Sequence, residues 1–343
     1  MKTLYGVVLA ALWAAPASAT NSPIELRTAL ATLMERVSGR FDNASQLFFE
    51  QEYKMPEKEQ HGRVFRSFIP IDAPDIGENV LVAQVRYGGD SGTFDAGEFQ
   101  VWTVAVDAER KAVKMSPRRF KDPDKYKDKA LDAAAFKGLT PADLVPSNGA
   151  AGCDIYWRKF GNDLRGESEP GACRKMSTIL KTEVDWSWEY ILTDTEMWLT
   201  YGGRDGSGKV VSGRPDQVHW RLGKAREFEC LLGYRPEGSA PQVNNGPHTH
   251  DRGGIVVWKT KAPSERNFHY ELLRGMWPSN SGRNYDDLLR ISIYEGDPKD
   301  LNGRKLLGMG WASADSDRAS VGDGMYSARC KLFDPSAPPP KNE

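Results

Sequence analysis

Apolar residues recur at helical spacing once, near the start of the chain, and at strand spacing almost everywhere after it. Leu26, Leu30, Leu33 and Val37 fall on one face of a 3.6-residue period. Ser22 is placed to cap that segment, Pro23 suits the first helical position and Gly39 ends it, so one amphipathic helix is expected over 23–38. From Val64 the pattern changes to short β-like runs, at 64–69, 80–87, 99–106 and 113–115, divided by Asp, Gly and Pro clusters. A second helix is expected over 125–136, where Leu131 and Phe136 supply an apolar side, and a short capped turn over 139–144.

The central stretch runs from Gly152-Cys153-Asp154-Ile155-Tyr156-Trp157 to Gly171-Ala172-Cys173-Arg174. Ile155 and Trp157 share one face of a strand, Tyr156 and Arg158 the other, and a polar Gly- and Pro-rich turn follows, which reads as a hairpin pinned by cysteines at its base. Over 182–190 the residues Val184, Trp186, Trp188 and Tyr190 alternate with Asp185, Ser187 and Glu189, a half-buried strand, and 196–201 returns beside it. The Pro-, Gly- and Asn-rich segment before Gly254 has no periodic apolar pattern and is read as a linker, 233–254. Five further β runs follow, at 255–259, 268–276, 288–294, 306–311 and 325–333, and then a tail, 334–343, whose composition predicts disorder.

Three features narrow the setting. Lys2, the apolar run from Leu4 to Ala14 and Pro16-Ala17-Ser18-Ala19 have the form of a secretory signal peptide over 1–19, and the run is too short to span a bilayer. No later stretch is apolar enough for a transmembrane helix, so a periplasmic or secreted protein is expected. The four cysteines agree, since an even number in an oxidising compartment most simply means two disulfides. The 46 basic residues of the full chain, one fewer after the leader, meet 47 acidic ones, and runs such as 118–129 mix both signs. No basic surface of the kind nucleic acid requires is expected.

The Gly-Cys-Asp at 152–154, Phe160-Gly161 and Gly171-Ala172-Cys173-Arg174 together resemble the central signature of the CpcT/CpeT family, the chromophore lyases that attach linear tetrapyrroles to light-harvesting proteins. Gly39-Arg40-Phe41-Asp42-Asn43 with Gln46, the run ending in Gln84, and Gly203-Arg204-Asp205 with the closing Gly213 are similar to its other signatures, so the likeness covers about 26–230. The resemblance implies a lipocalin-like antiparallel β-barrel that holds a bilin or similar apolar ligand. Ligand contacts are expected from Asn43, Gln46, Gln84, Trp102, Asp154, Trp186, Trp188 and Asp205. For Asn43 and Gln46 the competing reading is a helix junction in which both amides satisfy backbone groups. For the tryptophans it is ordinary core.

Where many members of that family carry a Tyr- and Arg-rich strand, this chain has Phe99-Gln100-Val101-Trp102, without the arginines that pair well with propionates. Ligand binding without covalent attachment is therefore expected, and the residues leave catalysis open. Cys153 is expected to pair with Cys173 and Cys230 with Cys330, out of three connectivities, with a reactive thiol as the competing reading. His248-Thr249-His250-Asp251 lacks a third ligand at fixed spacing, so no metal site is expected. The Gly203 to Val210 string has Val210 where a phosphate loop needs Ser or Thr, and Gly89-Asp90-Ser91-Gly92 lacks the histidine context of a serine protease.

The expected architecture is all-β: an N-terminal helix and barrel over 24–232, then a smaller β domain over 255–333. Three functions remain open at this point: a chromophore lyase, a non-catalytic periplasmic carrier, and an envelope protein-interaction module. No cofactor is required in any of them. The expected partners are a tetrapyrrole or apolar small molecule and an acceptor protein, with homodimerisation left open.

Overall fold

The structure, a computed structural model, describes residues 23–145, 152–177, 180–282, 284–300 and 303–334. The segment read as a signal peptide, 1–19, and the tail from residue 335 lie outside the described residues. Helix α1 (Pro23–Val37) buries Leu26, Leu33 and Val37, the face its spacing predicted. A short strand β1 (Gly39–Asp42) and a helix α2 (Ala44–Glu52) follow. Then come β2 (Val64–Ile71), β3 (Val80–Tyr87), the two-residue β4 (Thr93–Phe94), β5 (Gln100–Asp107), β6 (Ala112–Arg119), β7 (Ile155–Phe160) and β8 (Asp163–Ser168). β9 (Cys173–Ser177), β10 (Thr182–Leu192), β11 (Glu196–Arg204), β12 (Val210–Gly213) and β13 (Trp220–Lys224) complete the first half.

Ten of these strands close on themselves, in the order β11-β13-β1-β2-β3-β5-β6-β7-β8-β10, because β10 pairs back onto β11 from Asp185–Arg204 to Leu192–Met197. Every neighbouring pair is antiparallel, and β4, β9 and β12 hang on the wall outside the closed path. Closure leaves the path no open edge. The two-residue alternation then decides what faces inward. Along β3, Leu81, Ala83 and Val85 join the barrel core with Phe41, Trp102, Trp157 and Tyr190, while Val80 and Val82 join an outer core with Phe99, Phe120 and Phe136. Gly166 makes room for the largest of these side chains: a Cβ there would meet the Trp157 ring at 2.6 Å.

The second half is a two-layer β unit. One sheet holds β14 (Glu227–Tyr234), β15 (Gln242–His250), β20 (Arg318–Gly322) and β21 (Tyr326–Leu332). The other holds β16 (Arg252–Lys259), β17 (Asn267–Pro278), β18 (Tyr285–Glu295) and β19 (Lys305–Ser313). Phe228, Leu232, Phe268, Leu272, Leu289, Ile291, Ile293 and Ala328 are fully or nearly fully buried between them. At about 1.5–3 kcal/mol for each large apolar side chain taken out of water, this cluster is a second core, distinct from that of the barrel. The fold class is thus the expected one, a lipocalin-like antiparallel barrel with an N-terminal helix followed by a smaller β domain.

Several local expectations are corrected. The helix expected over 125–136 is a chain of 3₁₀ turns, Pro123–Lys125, Lys127–Lys129 and Ala133–Phe136. Its buried residues Tyr126, Ala130, Phe136 and Leu139 clamp onto Phe99 and Phe120 as a lid over the outer core, and Asp122 and Asp132 cap turns rather than a continuous helix. The linker expected over 233–254 contains β15, an edge strand; an edge needs no apolar face on both sides and tolerates Pro247, and the register skips next to Gly246-Pro247. The first-half boundary moves too, because β14 pairs with β15 and β21 rather than with the barrel, which ends at β13. In the central stretch, β7 and β8 form the hairpin, turning at Gly161-Asn162, so the segment read as a turn is largely strand. Cys173 starts β9, which pairs with the first part of β10 on the same edge that β8 takes further along, opposite β11.

We propose that the barrel and the two-layer unit fold as separate bodies. The exposed turn around Glu237-Gly238, between β14 and β15, is the expected first cut in limited proteolysis. The two fragments should migrate together until reduced, because Cys230 and Cys330 lie on opposite sides of the cut and are bonded. First cleavage within β10 or β11 would overturn this.

Candidate ligand site at the open end of the barrel

Helix α1 closes one end of the barrel. Leu33 and Val37 plug it, Arg36 Nη1 donates to the Asn162 carbonyl at 2.7 Å and pairs with Asp194, and Lys224 Nζ donates to the Glu35 and Arg36 carbonyls at 2.9 and 3.0 Å. The register places Val64, Tyr87, Gln100, Arg119, Trp186 and Trp220 toward the opposite end. That end is where inward-facing polar groups collect.

Arg66 lies between Val64 and Phe68 on the inward face of β2 and is 7% exposed. Its Nη1 donates to the Tyr190 hydroxyl at 3.4 Å and its Nη2 to Glu98 Oε2 at 3.2 Å. Burial works against the charge, but Tyr190 and Glu98 outweigh it and the guanidinium is held protonated above its ordinary range. Burial, with Tyr201, Asp95 and Glu98 nearby, pushes the Tyr87 hydroxyl up to about 12. Burial likewise raises Tyr190 and Tyr201. Lys175, opposite Val184, is pulled down by burial and by Arg119, with Glu98 acting the other way. Cations from three strands, β2, β6 and β9, thus share one field with Glu98, and Asp95 stands near the tyrosines.

Aromatic rings line the same end. Tyr201 stacks on Trp220 at 5.3 Å and 13°, and Trp186 on Trp188 at 6.2 Å and 22°. Three buried donors of the interior, Arg66 Nε, Trp157 Nε1 and Trp220 Nε1, have no partner among the described residues. Buried donors are almost always paired in folded proteins, so three orphans on one lining mark where an acceptor would fit.

Of the residues singled out in the sequence, Trp102, Trp186 and Trp188 face the barrel interior, Trp102 deep and the other two at the open end. Asn43 is fully buried and does backbone work, donating to the Gly62 carbonyl at 3.0 Å and accepting from Val64 N at 2.7 Å. Gln46 ties α2 to β13 through the His219 carbonyl and Arg221 N. Gln84 shares the outward face of β3 with Val80 and Val82, and both its amide atoms are buried without a partner. Asp154 pairs with Lys114 at 3.0 Å, and Asp205 holds its own turn through Ser207 and Lys209. These five do not converge on the lining.

What the residue reading missed is Arg66, Glu98, Lys175, Tyr201 and Trp220. Arg66 left one trace, a cation on the apolar side of an alternating strand. The others became neighbours only on closure. Both disulfides form as expected, Cys153–Cys173 and Cys230–Cys330, and no free cysteine remains. His250 is buried and bonds Asp90 Oδ2 at 2.9 Å, while His248 packs on Phe333, so the two histidines part ways. Among the described residues, no three His, Cys, Asp or Glu converge as metal ligands, and no helix is long and apolar enough to cross a membrane. A groove of 730 Å³ lies on the second unit, bordered by Arg235, Val243, Met309 and Arg329, away from all these residues.

A closed ten-stranded antiparallel barrel plugged by a helix at one end, with cations and aromatic rings at the other, defines the class: a lipocalin-like β-barrel. Over 163 residues the chain is 26% identical to the chromophore lyase CpcT/CpeT of Synechocystis sp., an overlap of 47% of this chain and 76% of that protein. The chain thus resembles that lyase distantly and in part. No protein-family model matches it. Among solved structures it is similar to the CRL protein of Arabidopsis, with a TM-score of 0.41 at 14% identity over 57% of this chain and 97% of that one. It is also similar to the T-type phycobiliprotein lyase CpeT of the Prochlorococcus phage P-HM1, with a TM-score of 0.32 at 13% identity over 57% and 96%.

Proposed function

We propose that the chain is an exported carrier that holds a bilin, or a similarly elongated apolar ligand bearing carboxylates, at the open end of its barrel. The observation that carries the reading is the set of orphan donors, Arg66 Nε, Trp157 Nε1 and Trp220 Nε1, beside a buried guanidinium and stacked aromatic rings. Carboxylate or lactam oxygens satisfy such donors, and the rings accept the flat π-system. The residues Asn43, Gln46, Gln84, Asp154 and Asp205 support the wall rather than the ligand in this reading. The leader-like segment and two disulfides support an oxidising compartment such as the periplasm.

The test is a titration of the mature, oxidised protein with biliverdin or phycocyanobilin. A red-shifted absorption band with induced circular dichroism is expected. Arg66→Met should weaken binding about tenfold or more, the usual worth of a hydrogen bond to a charged group. Lys175→Gln, at the more exposed rim, should weaken it less while leaving the fold intact. No spectral change in the wild type would sink the reading.

The likeness to a chromophore lyase favours a second reading, transfer of the bilin to a cysteine of an acceptor protein. A cysteine-bearing acceptor incubated with the bilin-loaded protein is expected to show no denaturation-resistant, zinc-fluorescent band above background. Such bands would replace the carrier by a lyase.

A further inference from the structure

On the outer wall of the barrel, β8, β10 and β11 present a row of side chains that stability alone does not favour. Glu167 of β8 lies directly opposite Glu189 of β10, and Thr200 of β11 lies opposite Glu189 on its other side. Like charges at opposed positions in an antiparallel pair repel. No cation pairs with Glu167 among the described residues, and the nearest partner of Glu189 is His219, whose Nε2 is 3.8 Å from Oε1, too far for a hydrogen bond.

Thr200 supplies the independent observation. It is 4% exposed, and its Oγ1 is buried with no hydrogen-bond partner. A hydroxyl in an ordinary strand would turn to a nearby carbonyl or be replaced by valine at no loss. These groups border a recess of 220 Å³, lined among others by Glu167, Ser187, Glu189, Thr200 and Gln217. It forms where the ladder between β8 and β10 stops at Glu167–Glu189 and β8 turns away toward Pro170.

We propose that this recess binds a small organic ammonium ion, a protonated primary amine. An ammonium carries three N–H donors and no acceptor, and two carboxylates with a hydroxyl oxygen match it donor for acceptor. Its charge removes the repulsion between Glu167 and Glu189, and its short stem suits the volume. A divalent metal fits less well: calcium takes six to eight oxygens and zinc a closed set of three or four ligands, and no such group converges here. The bilin of the barrel mouth is far too large for it, and the recess shares with that lining only Trp188 and Tyr201, while the carboxylates and the hydroxyl that would hold the amine lie outside it.

Calorimetric titration of the full oxidised chain at low salt, with 1,4-diaminobutane hydrochloride as the probe, tests it. One-to-one binding is expected. Glu189→Gln should weaken binding about tenfold or more while raising the melting temperature of the amine-free protein, because it removes a like-charge contact. Thr200→Val should weaken binding several-fold without lowering the melting temperature. Magnesium or calcium chloride should neither bind at the recess nor compete. The inference is overturned if no amine binds, if a divalent ion binds there in its place, or if Glu189→Gln lowers the melting temperature and leaves the affinity unchanged.

Discussion

A chain carrying Cys230→Ala and Cys330→Ala together is expected to lose about 4 to 5 kcal/mol of stability in its second half, the chain-entropy value for a loop of this length. The bond spans 100 residues and joins positions directly opposite each other on β14 and β21. Both cysteines are 3% exposed and sit in the sandwich core with Phe228, Leu232 and Ala328, so alanine also leaves small voids. Removing Cys153 and Cys173 in the same way should cost less, about 3 kcal/mol, because that loop spans only 20 residues. Urea unfolding followed by tryptophan fluorescence and by far-ultraviolet circular dichroism checks both. If the two double variants lost equal stability, loop closure in the unfolded chain would not be what these bonds contribute.

Replacing Asp251 by alanine is expected to destabilise the join between the halves by about 3 kcal/mol, the lower end for breaking a buried pair by removing one partner. Asp251 is 0% exposed. It accepts from Arg226 N at 2.9 Å and from Arg226 Nε at 2.7 Å, and Arg252 Nε stands 3.9 Å away. Arg252 reaches back to the barrel, its Nη2 donating to the Lys224 carbonyl at 3.4 Å. Alanine leaves both guanidinium groups facing each other without the charge that separates them. Arg226 keeps its bonds to the Ala314 and Ser316 carbonyls and some access to water, which limits the loss. Asp251→Asn should cost roughly half as much, since the acceptor survives and the charge does not. A loss below about 1 kcal/mol for the alanine variant would show that the pair is replaceable by water.

Some of this molecule could be read from local pattern because local physics decides it. The helix spacing of Leu26, Leu30, Leu33 and Val37 leads to α1, and the run at 80–87 is β3 residue for residue. The alternation of Val184, Trp186, Trp188 and Tyr190 gives the inward face of β10, and the cysteine pairing follows from where strands start and end. Elements whose stability comes from distant neighbours stayed hidden. β15 has no apolar alternation because an edge strand is held by ladder bonds to β14, and the segment over 125–136 looks helical by propensity yet is shaped by the aromatic cluster it covers. Asn43 and Gln46 admit two meanings in the sequence, and their hydrogen bonds are those of the helix junction.

The sequence by itself determined that this is a β-rich chain with one leading helix, two disulfides and a partial likeness to a chromophore lyase. Those properties depend on side-chain period, turn residues and short motifs, which act within a few residues of chain. Only the tertiary structure decided which strands face the candidate site and with what. Closing β10 onto β11 brings Arg66, Glu98, Arg119 and Lys175, spread over more than a hundred residues of chain, to one end of the barrel. The same closure turns Gln84 outward and sets Glu167 against Glu189, because a register shift of one residue would exchange every inward side chain for an outward one.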